Sequence, residues 1–211
     1  MSVTLYGYKY SVYTWIARAT LHEKAVGYQY LEINPFSPNL DDAYLKLHPF
    51  KRVPAIEHNG FCLYETCAIT RYVDTAFEGL NLQPSNSKEL GRMFQIVSLI
   101  DSYGFQPMMR DAFTNRVVCK KFGLPVDEHA FAAAMVESKK VLHAIEQVLQ
   151  NTQFLCGERV SLADLHLAPI MDCFQIFDEG RDLLNEFDKL ARWYNSIRTR
   201  PSVKETRPMF R

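Results

Sequence analysis

The first residue of this sequence that could do chemistry is a serine between a strand-like run and a helix-like run. Ser11 follows the β-rich stretch "VTLYG" and opens "SVYTWIARATLHEKAV", in which apolar residues recur at roughly helical spacing. A small hydroxyl residue at a helix start can accept a hydrogen bond from a backbone N–H group and so cap the helix. The residues leave two interpretations open, a cap only or a position for chemistry.

A valine–proline pair is the second chemical signal. The bond before proline is the only peptide bond for which the cis isomer costs little, and Pro54 stands at the start of a strand just before a hairpin. A cis bond would turn the Val53 backbone outward, so that its N–H and C=O groups could pair with an extended peptide as an added strand does. The alternative is an ordinary trans proline that opens an edge strand.

An acidic residue and a hydroxyl residue stand together where the hairpin leads into the next helix. Thr66 is placed to be the N-cap, and the N–H groups at that helix start would attract a carboxylate. Glu65 could pair with an ammonium group. Together they offer what the amino-acid end of a zwitterionic peptide requires, although a simple cap beside a solvated acid is the alternative.

A capping box marks a helix start in the second half of the chain. Ser161 and Asp164 have the required spacing, and Val160 and Leu165 flank them as a hydrophobic staple. We interpret this motif as a folding signal without a catalytic role.

The elements that must position these residues change character along the chain. Residues 1–78 predict the order β-α-β-α-β-β-α, in which the first two strands are parallel and Asn59-Gly60 turns an antiparallel hairpin. Residues 79–87 form a turn-rich linker, and residues 88–211 show helical periodicity. The prediction is a small α/β domain followed by an all-α helical bundle domain.

The composition excludes several classes of function. Lys+Arg and Asp+Glu are both 24 in 211 residues, so no basic field favours nucleic acid or an anionic membrane surface. No signal peptide or membrane-spanning run is predicted. The five cysteines are odd in number and lack metal-ligand spacing, which indicates free thiols in a reducing cytosol and no metal site.

These motifs, taken in order, resemble the cytosolic glutathione transferases over nearly the whole chain. "LHPFKRVPAIEHNGFCLYETCAITRYV" is similar to the family's Asn-Pro-x-x-x-Val-Pro-x-Leu and Glu-Ser-x-Ala-Ile segments. "GERVSLADLHLAP" resembles its capping-box stretch, and "WYNSIRTRPSVK" resembles its closing Trp and Arg-Pro-Ser. The resemblance implies a thioredoxin-like N-terminal domain, a cis Pro54 and a glutathione site.

The resemblance implies that Ser11 activates the thiol of glutathione, as in the serine-type phi and zeta classes. Tyr6 is the competitor, because other classes use a tyrosine near the end of the first strand. No cysteine occupies the Ser11 position, so disulfide exchange through a mixed disulfide is not expected. By the same resemblance Val53 binds the cysteinyl backbone. The implied glutathione-binding set is Arg52, Val53, Pro54, Glu65, Thr66 and Gln106.

The second substrate is expected between Ser11 and the first long helix of the second domain. Pro107 should kink that helix, and apolar, adaptable side chains stand around it in "IDSYGFQPMMRD". Core packing is the alternative for each of them. The predicted electrophile-binding residues are Tyr10, Tyr13, Tyr103, Phe105 and Met108.

The resulting prediction is a homodimeric cytoplasmic enzyme that adds the glutathione thiolate to hydrophobic electrophiles. One alternative is a glutathione-dependent cis-trans isomerase similar to maleylacetoacetate isomerase, and another is a non-catalytic interaction module that keeps the fold. Glutathione serves as co-substrate in the prediction, with no metal, nucleic acid or membrane partner.

Overall fold

The computed structural model describes residues 2–149 and 152–208, which form two compact units. The first unit runs to Leu82 and includes the chain from Pro201 onwards, and the second runs from Gln83 to Arg200. The boundary falls within the predicted linker. The segment after Arg200 differs from the expected domain division, because its short helix packs within the first unit.

The first unit has the predicted order of elements. Its members are β1 (Val3–Gly7), α1 (Val12–Glu23), β2 (Gln29–Glu32), α2 (Asp42–Leu47), β3 (Ala55–His58), β4 (Phe61–Tyr64), α3 (Thr66–Ala76) and the C-terminal α10 (Pro201–Lys204).

The sheet of the first unit is mixed, with strand order β2-β1-β3-β4. β1 and β2 are parallel, and β3 is antiparallel to both β1 and β4. Asn59 and Gly60 both have positive φ, 51° and 83°, which is the conformation of a tight two-residue hairpin turn. The thioredoxin-like fold predicted from the sequence is therefore confirmed.

An apolar core joins α1 and α3 to the sheet. Alternate residues of β1 are buried together with Ile56 of β3 and with one face of each helix. The members of this core are Val3, Leu5, Ala17, Leu21, Ile56, Ile69 and Val73.

The strand pairing brings three chain segments to one edge of the sheet. Tyr6 pairs with Ala55, and Ala55 pairs with Tyr64, so the end of β1, the start of β3 and the end of β4 lie side by side. We call this the site edge. Because α1 follows β1 and α3 follows β4, both helices begin at the site edge.

The regular elements of the second unit are all helical, as predicted. They are α4 (Ser87–Leu99), two π-helical segments (Ile100–Gly104 and Gln106–Cys119), α5 (Lys120–Phe122), α6 (Glu128–Val148), α7 (Leu162–Phe174), α8 (Asp178–Asn185) and α9 (Asp188–Ile197). The chain is continuously helical from Ser87 to Phe122. Near Pro107, where a kink was predicted, its winding is of the wider π type.

The predicted capping box at the start of α7 is present. The Asp164 carboxylate is completely buried, and it accepts hydrogen bonds from the Ser161 backbone N–H at 2.8 Å and the Ser161 hydroxyl at 2.6 Å. It also accepts from the Leu155 backbone N–H at 2.9 Å and from Trp193 Nε1 at 2.8 Å. The capping residue therefore also ties two other segments of the second unit to α7. No helix in the described part of the chain is long and apolar enough to cross a membrane.

Candidate active site

Ser11 is the N-cap of α1, so one of its two predicted tasks is visible in the structure. Its Oγ accepts a hydrogen bond from the Thr14 backbone N–H at 3.2 Å, and its carbonyl accepts one from Trp15 N–H at 3.0 Å. Within the described residues, no hydrogen bond is donated by Ser11 Oγ. The half-buried hydroxyl of Ser11 can therefore donate a hydrogen bond to a further acceptor.

A close approach between β1 and α1 fixes the position of this cap. A Cβ on Gly7 would lie 2.3 Å from the methyl carbon of Thr14, so that a side chain there would displace the buried Thr14. Thr14 Oγ1 in turn accepts the Tyr8 backbone N–H at 3.2 Å. Gly7 and Thr14 were not recognised from the sequence, although a glycine ending a strand just before a helix is a signal of close packing.

Tyr6, the competing thiol activator, is engaged elsewhere. Its hydroxyl donates to Glu57 Oε2 at 3.2 Å across the sheet. Burial and the neighbouring Glu57 carboxylate raise the pKa of Tyr6 above its ordinary value. The phenolic proton is thus held by a carboxylate, which favours Ser11 as the hydrogen-bond donor.

The Val53–Pro54 peptide bond is cis, as expected. Val53 is half-buried, and its backbone N–H and C=O make no hydrogen bond to any described residue. The preceding residue is held in place by α2, since the buried Tyr44 donates its hydroxyl proton to the Arg52 carbonyl. The Arg52 side chain is exposed. A short stretch of backbone at the site edge is therefore free to pair with an extended peptide.

Glu65 and Thr66 lie at the start of α3, but their capping roles differ from the prediction. Glu65, not Thr66, is the N-cap, because Glu65 has φ 71° and ψ 119° and helical geometry begins only at Thr66. A positive φ is costly for a residue with a side chain and is found mostly at functional sites. The Glu65 carboxylate is exposed and caps nothing, so it is available to a ligand.

His48 is a residue near the site edge that the sequence did not single out. Its side chain is 2% exposed, its ring centroid lies 4.8 Å from that of Tyr64, and its Nδ1 is buried without a hydrogen-bond partner. Burial lowers the pKa of His48, while the nearby Glu65 carboxylate acts in the opposite direction. His48 stands where the family motif begins with asparagine, and this difference was the available signal.

Tyr10 belongs to an aromatic cluster in the first unit, whereas Tyr13 is a half-buried residue in the first turn of α1. The Tyr10 and Tyr8 rings are 5.5 Å apart, and Tyr8 is 6.0 Å from Phe36, both in edge-to-face geometry. Phe36 is 72% exposed. This side chain in the loop after β2 was missed in the sequence, where a phenylalanine between two prolines in "NPFSP" was the signal.

The predicted residues of the second unit do not share one surface. Tyr103 and Gln106 line a groove of about 660 Å³ against α6, whereas Phe105 and Met108 do not line it. Gln106 Nε2 donates to Asp111 Oδ1 at 3.0 Å. Met108 is 1% exposed, so a ligand would reach its side chain only if it left the interior. The single apolar wall expected around Pro107 is therefore divided.

The site edge is suited to binding an anionic, extended ligand. The N-termini of α1 and α3 both lie there, and each presents backbone N–H groups and the positive end of a helix dipole. Between them lies the unpaired backbone of Val53. The described residues contain no cluster of three or more His, Cys, Asp or Glu side chains that could hold a metal ion.

A thioredoxin-like unit with a serine-capped first helix and a cis proline, joined to a helical unit, is the architecture of a glutathione transferase. Comparison with known families agrees. Residues 1–75 match the family described as "Glutathione S-transferase, N-terminal domain", and residues 96–201 match "Glutathione S-transferase, C-terminal domain".

Individual relatives extend over nearly the whole chain. A glutathione S-transferase of Hypomyces subiculosus is 30% identical, with 98% of each chain covered. Glutathione S-transferase F7 of Arabidopsis thaliana is 25% identical over 96% of this chain and 98% of its own. The crystal structure of poplar glutathione transferase F1 superposes with a TM-score of 0.84 at 29% identity, covering 98% of this chain and 96% of that one. The chain belongs to the glutathione S-transferase family, and we assign it as a glutathione transferase.

Proposed function

We propose that this protein adds the thiolate of glutathione to hydrophobic electrophiles, and that Ser11 stabilises the thiolate. The observation that carries the proposal is the Ser11 hydroxyl, which accepts from Thr14 N–H at the head of α1 and keeps its own proton. The hydroxyl can therefore cap the helix and donate to sulfur at the same time.

The physical task is to ionise a thiol near neutral pH. A free cysteine thiol has a pKa of about 8.5 and is mostly protonated at pH 7. A hydroxyl that donates to the sulfur and the positive end of a helix both favour the anion. Ser11 would supply the first effect and α1 the second, so the thiolate would be formed before the electrophile arrives.

The other predicted residues would hold the remainder of the tripeptide. The unpaired N–H and C=O groups of Val53, beside Pro54, would pair with the cysteinyl backbone as an added strand does. Glu65 would bind the ammonium of the γ-glutamyl end, and the N–H groups around Thr66 would bind its carboxylate. We assign the glycine carboxylate to the exposed Arg52.

The electrophile would contact aromatic surface beside the thiol. Tyr10 precedes Ser11 and Tyr13 follows it within two residues, and Tyr8 and Phe36 belong to the same aromatic cluster as Tyr10. Phe105 of the second unit remains a proposed contributor, whereas Tyr103 lines the groove that we assign below to a second copy. The proposed roles of Gln106 and Met108 are weaker, because one is bonded to Asp111 and the other is buried.

The decisive experiment measures the thiol pKa of bound glutathione in wild type and in Ser11→Ala. Titration followed by thiolate absorbance in the ultraviolet should give a bound pKa well below about 8.5 in wild type and a value close to it in the variant. Turnover of Ser11→Ala at neutral pH should fall steeply and recover in part at alkaline pH, where hydroxide ionises the thiol.

Tyr6→Phe is the matched control, since it removes one hydroxyl from the same unit. It should leave the bound thiol pKa unchanged. If instead the thiol pKa of bound glutathione stays at the wild-type value in Ser11→Ala and rises in Tyr6→Phe, the serine assignment is wrong.

We also propose that the protein is a cytoplasmic homodimer. The free state of all five cysteines, two of them buried, supports a reducing compartment. The groove between the π-helical segments and α6, with Leu99, Pro107 and Val141 in its lining, offers an apolar surface for a second copy. Light scattering should give twice the chain mass for wild type, and Ala133→Glu in the groove should shift it towards the monomer.

A further inference from the structure

The last described residues of the chain pack against α1, near its end and at the side chain of Trp15. We call residues 201–208 the C-terminal strap. Near the end of α1, His22 Nε2 lies 3.1 Å from Glu205 Oε2, and the Ser202 hydroxyl donates to Glu23. Two contacts from separate strap residues thus hold one end of the helix.

The strap reaches the first turns of α1 through Trp15. This side chain is 1% exposed, and its indole Nε1 donates to the Val203 carbonyl at 3.2 Å, a bond between residues 188 positions apart. The Arg207 guanidinium lies 5.9 Å from the Trp15 ring centroid. A buried tryptophan N–H needs a hydrogen-bond acceptor. Among the described residues, the acceptor for Trp15 is the Val203 carbonyl of the strap.

Trp15 is coupled to Ser11 by the backbone of the first helical turn. The Trp15 backbone N–H donates to the Ser11 carbonyl at 3.0 Å and so closes the turn that Ser11 caps. A displacement of Trp15 would therefore change the position of Ser11 and the direction of the N–H groups at the helix start. Both determine how well the helix end stabilises an anion.

We propose that the C-terminal strap is a positioning element for the thiol site, which acts through Trp15 to fix the first turn of α1 and the Ser11 hydroxyl. Trp15 is a positioning residue, since it would act on the site through its backbone bond to Ser11. The proposal rests on the function assigned to Ser11 above. It adds that the far end of the chain helps to set the reactivity of that site.

The test is Trp15→Phe, which keeps an aromatic ring in the core but removes the N–H donor to Val203. A loosened helix start loses part of its stabilisation of the thiolate, so the pKa of bound glutathione should rise by about 0.3–0.7 unit. Turnover at pH 6.5 should then fall about two- to fivefold and approach the wild-type value at alkaline pH. A role in packing alone would leave the bound thiol pKa unchanged.

The chain offers a matched control in its other tryptophan. Trp193 is also buried and also donates its indole N–H, in that case to Asp164 in the second unit. Trp15→Phe and Trp193→Phe should both lower the urea midpoint, but Trp193→Phe should leave the bound thiol pKa at the wild-type value. If the two variants lose equal stability but only Trp15→Phe raises the bound thiol pKa, Trp15 acts by positioning the site and not by packing alone.

A second variant tests the strap without changing α1. Ser202→Ala combined with Glu205→Ala removes the two contacts near Glu23 and His22. It should raise the bound thiol pKa in the same direction, and its effect should be less than additive with that of Trp15→Phe. This variant decides the question if Trp15→Phe does not fold.

The proposal is overturned if neither Trp15→Phe nor the strap variant moves the bound thiol pKa while Ser11→Ala does. In that case the function assigned to Ser11 stands and only the strap inference fails. If wild type itself shows no lowered thiol pKa, the proposed function fails first.

Discussion

Single side chains at the site edge combine a structural task with a proposed chemical one. Ser11 Oγ caps α1 as an acceptor while its proton stays available, and Glu65 adopts a positive φ with an exposed carboxylate. A strained backbone at a helix start persists only where the surrounding structure enforces it, which is common at ligand sites. Both residues therefore invite tests that separate stability from binding.

Glu65→Gln should weaken glutathione binding specifically. The change keeps the shape of the side chain and removes the charge that would meet the γ-glutamyl ammonium, so the KM for glutathione should rise about tenfold or more. The KM for the electrophile should change little. Glu78→Gln, an exposed acid in the same unit, is the control and should behave as wild type. Equal rises in both Michaelis constants for Glu65→Gln would show that the site is misplaced.

His48 should make the fold sensitive to mild acid. Burial holds its pKa below the ordinary value, so between the two pKa values the unfolded chain binds more protons than the folded one. Stability is then fully present above about pH 6.5 and declines as the pH falls below that value. In His48→Asn, the urea midpoint should fall less between pH 7 and pH 5 than it does in wild type. An identical pH dependence in the variant would exclude His48 as the source.

At the scale of elements, the capping residue of α7 makes more hydrogen bonds in the fold than its sequence motif predicts. The capping box in "SLAD" predicts only a local cap, worth about 0.5–2 kcal/mol. In the fold, the same Asp164 carboxylate also accepts from Leu155 N–H and Trp193 Nε1. Burial raises the pKa of the Asp164 carboxyl, while these donors oppose the rise.

Asp164→Ala should therefore cost more than a cap. Removing the carboxylate leaves several buried donors without an acceptor, for which we expect a loss of about 3–5 kcal/mol of unfolding free energy. Asp127→Ala is the control, because Asp127 is an exposed N-cap whose carboxylate accepts, among the described residues, only Ala130 N–H, at 2.9 Å. Its loss should cost about 0.5–2 kcal/mol. Similar urea midpoints for the two variants would contradict the tertiary role of Asp164.

At the scale of the whole molecule, a buried ion pair closes the first unit where the chain leaves it. Lys24 Nζ lies 3.3 Å from Asp74 Oδ1 and donates to the carbonyls of Asp74 and Leu80 at 3.0 Å each. Asp74 Oδ1 also accepts the Leu82 backbone N–H at 2.9 Å. The ends of α1 and α3 and the start of the linker thus share one polar network.

In Lys24→Met, the first unit should unfold at a clearly lower urea concentration than in wild type. The substitution leaves the Asp74 carboxylate buried without its cation, so the expected cost is about 3–5 kcal/mol. Lys46→Met, an exposed lysine of α2, should change the urea midpoint little. A small effect of Lys24→Met would mean that water reaches Asp74 when the cation is removed.

Much of the architecture was determined by the sequence itself, because it depends on local periodicity and turn chemistry. The β-rich run "VTLYG", the Asn59-Gly60 turn and the capping box each act over a few residues, so they identify a strand, a hairpin and a helix start without knowledge of the fold. Ser11 at a strand-to-helix junction and the Val53-Pro54 pair belong to the same class of local signal.

Only the tertiary structure decided which distant groups meet. Nothing near Trp15 in the sequence indicates an acceptor at Val203, and the commitment of Tyr6 to Glu57 depends on strand register. The cap at Glu65 and the division of the predicted wall around Pro107 follow from backbone and helix geometry that side-chain types do not specify. The topology of the fold determines which segments far apart in the chain come into contact, and local sequence patterns do not specify that topology.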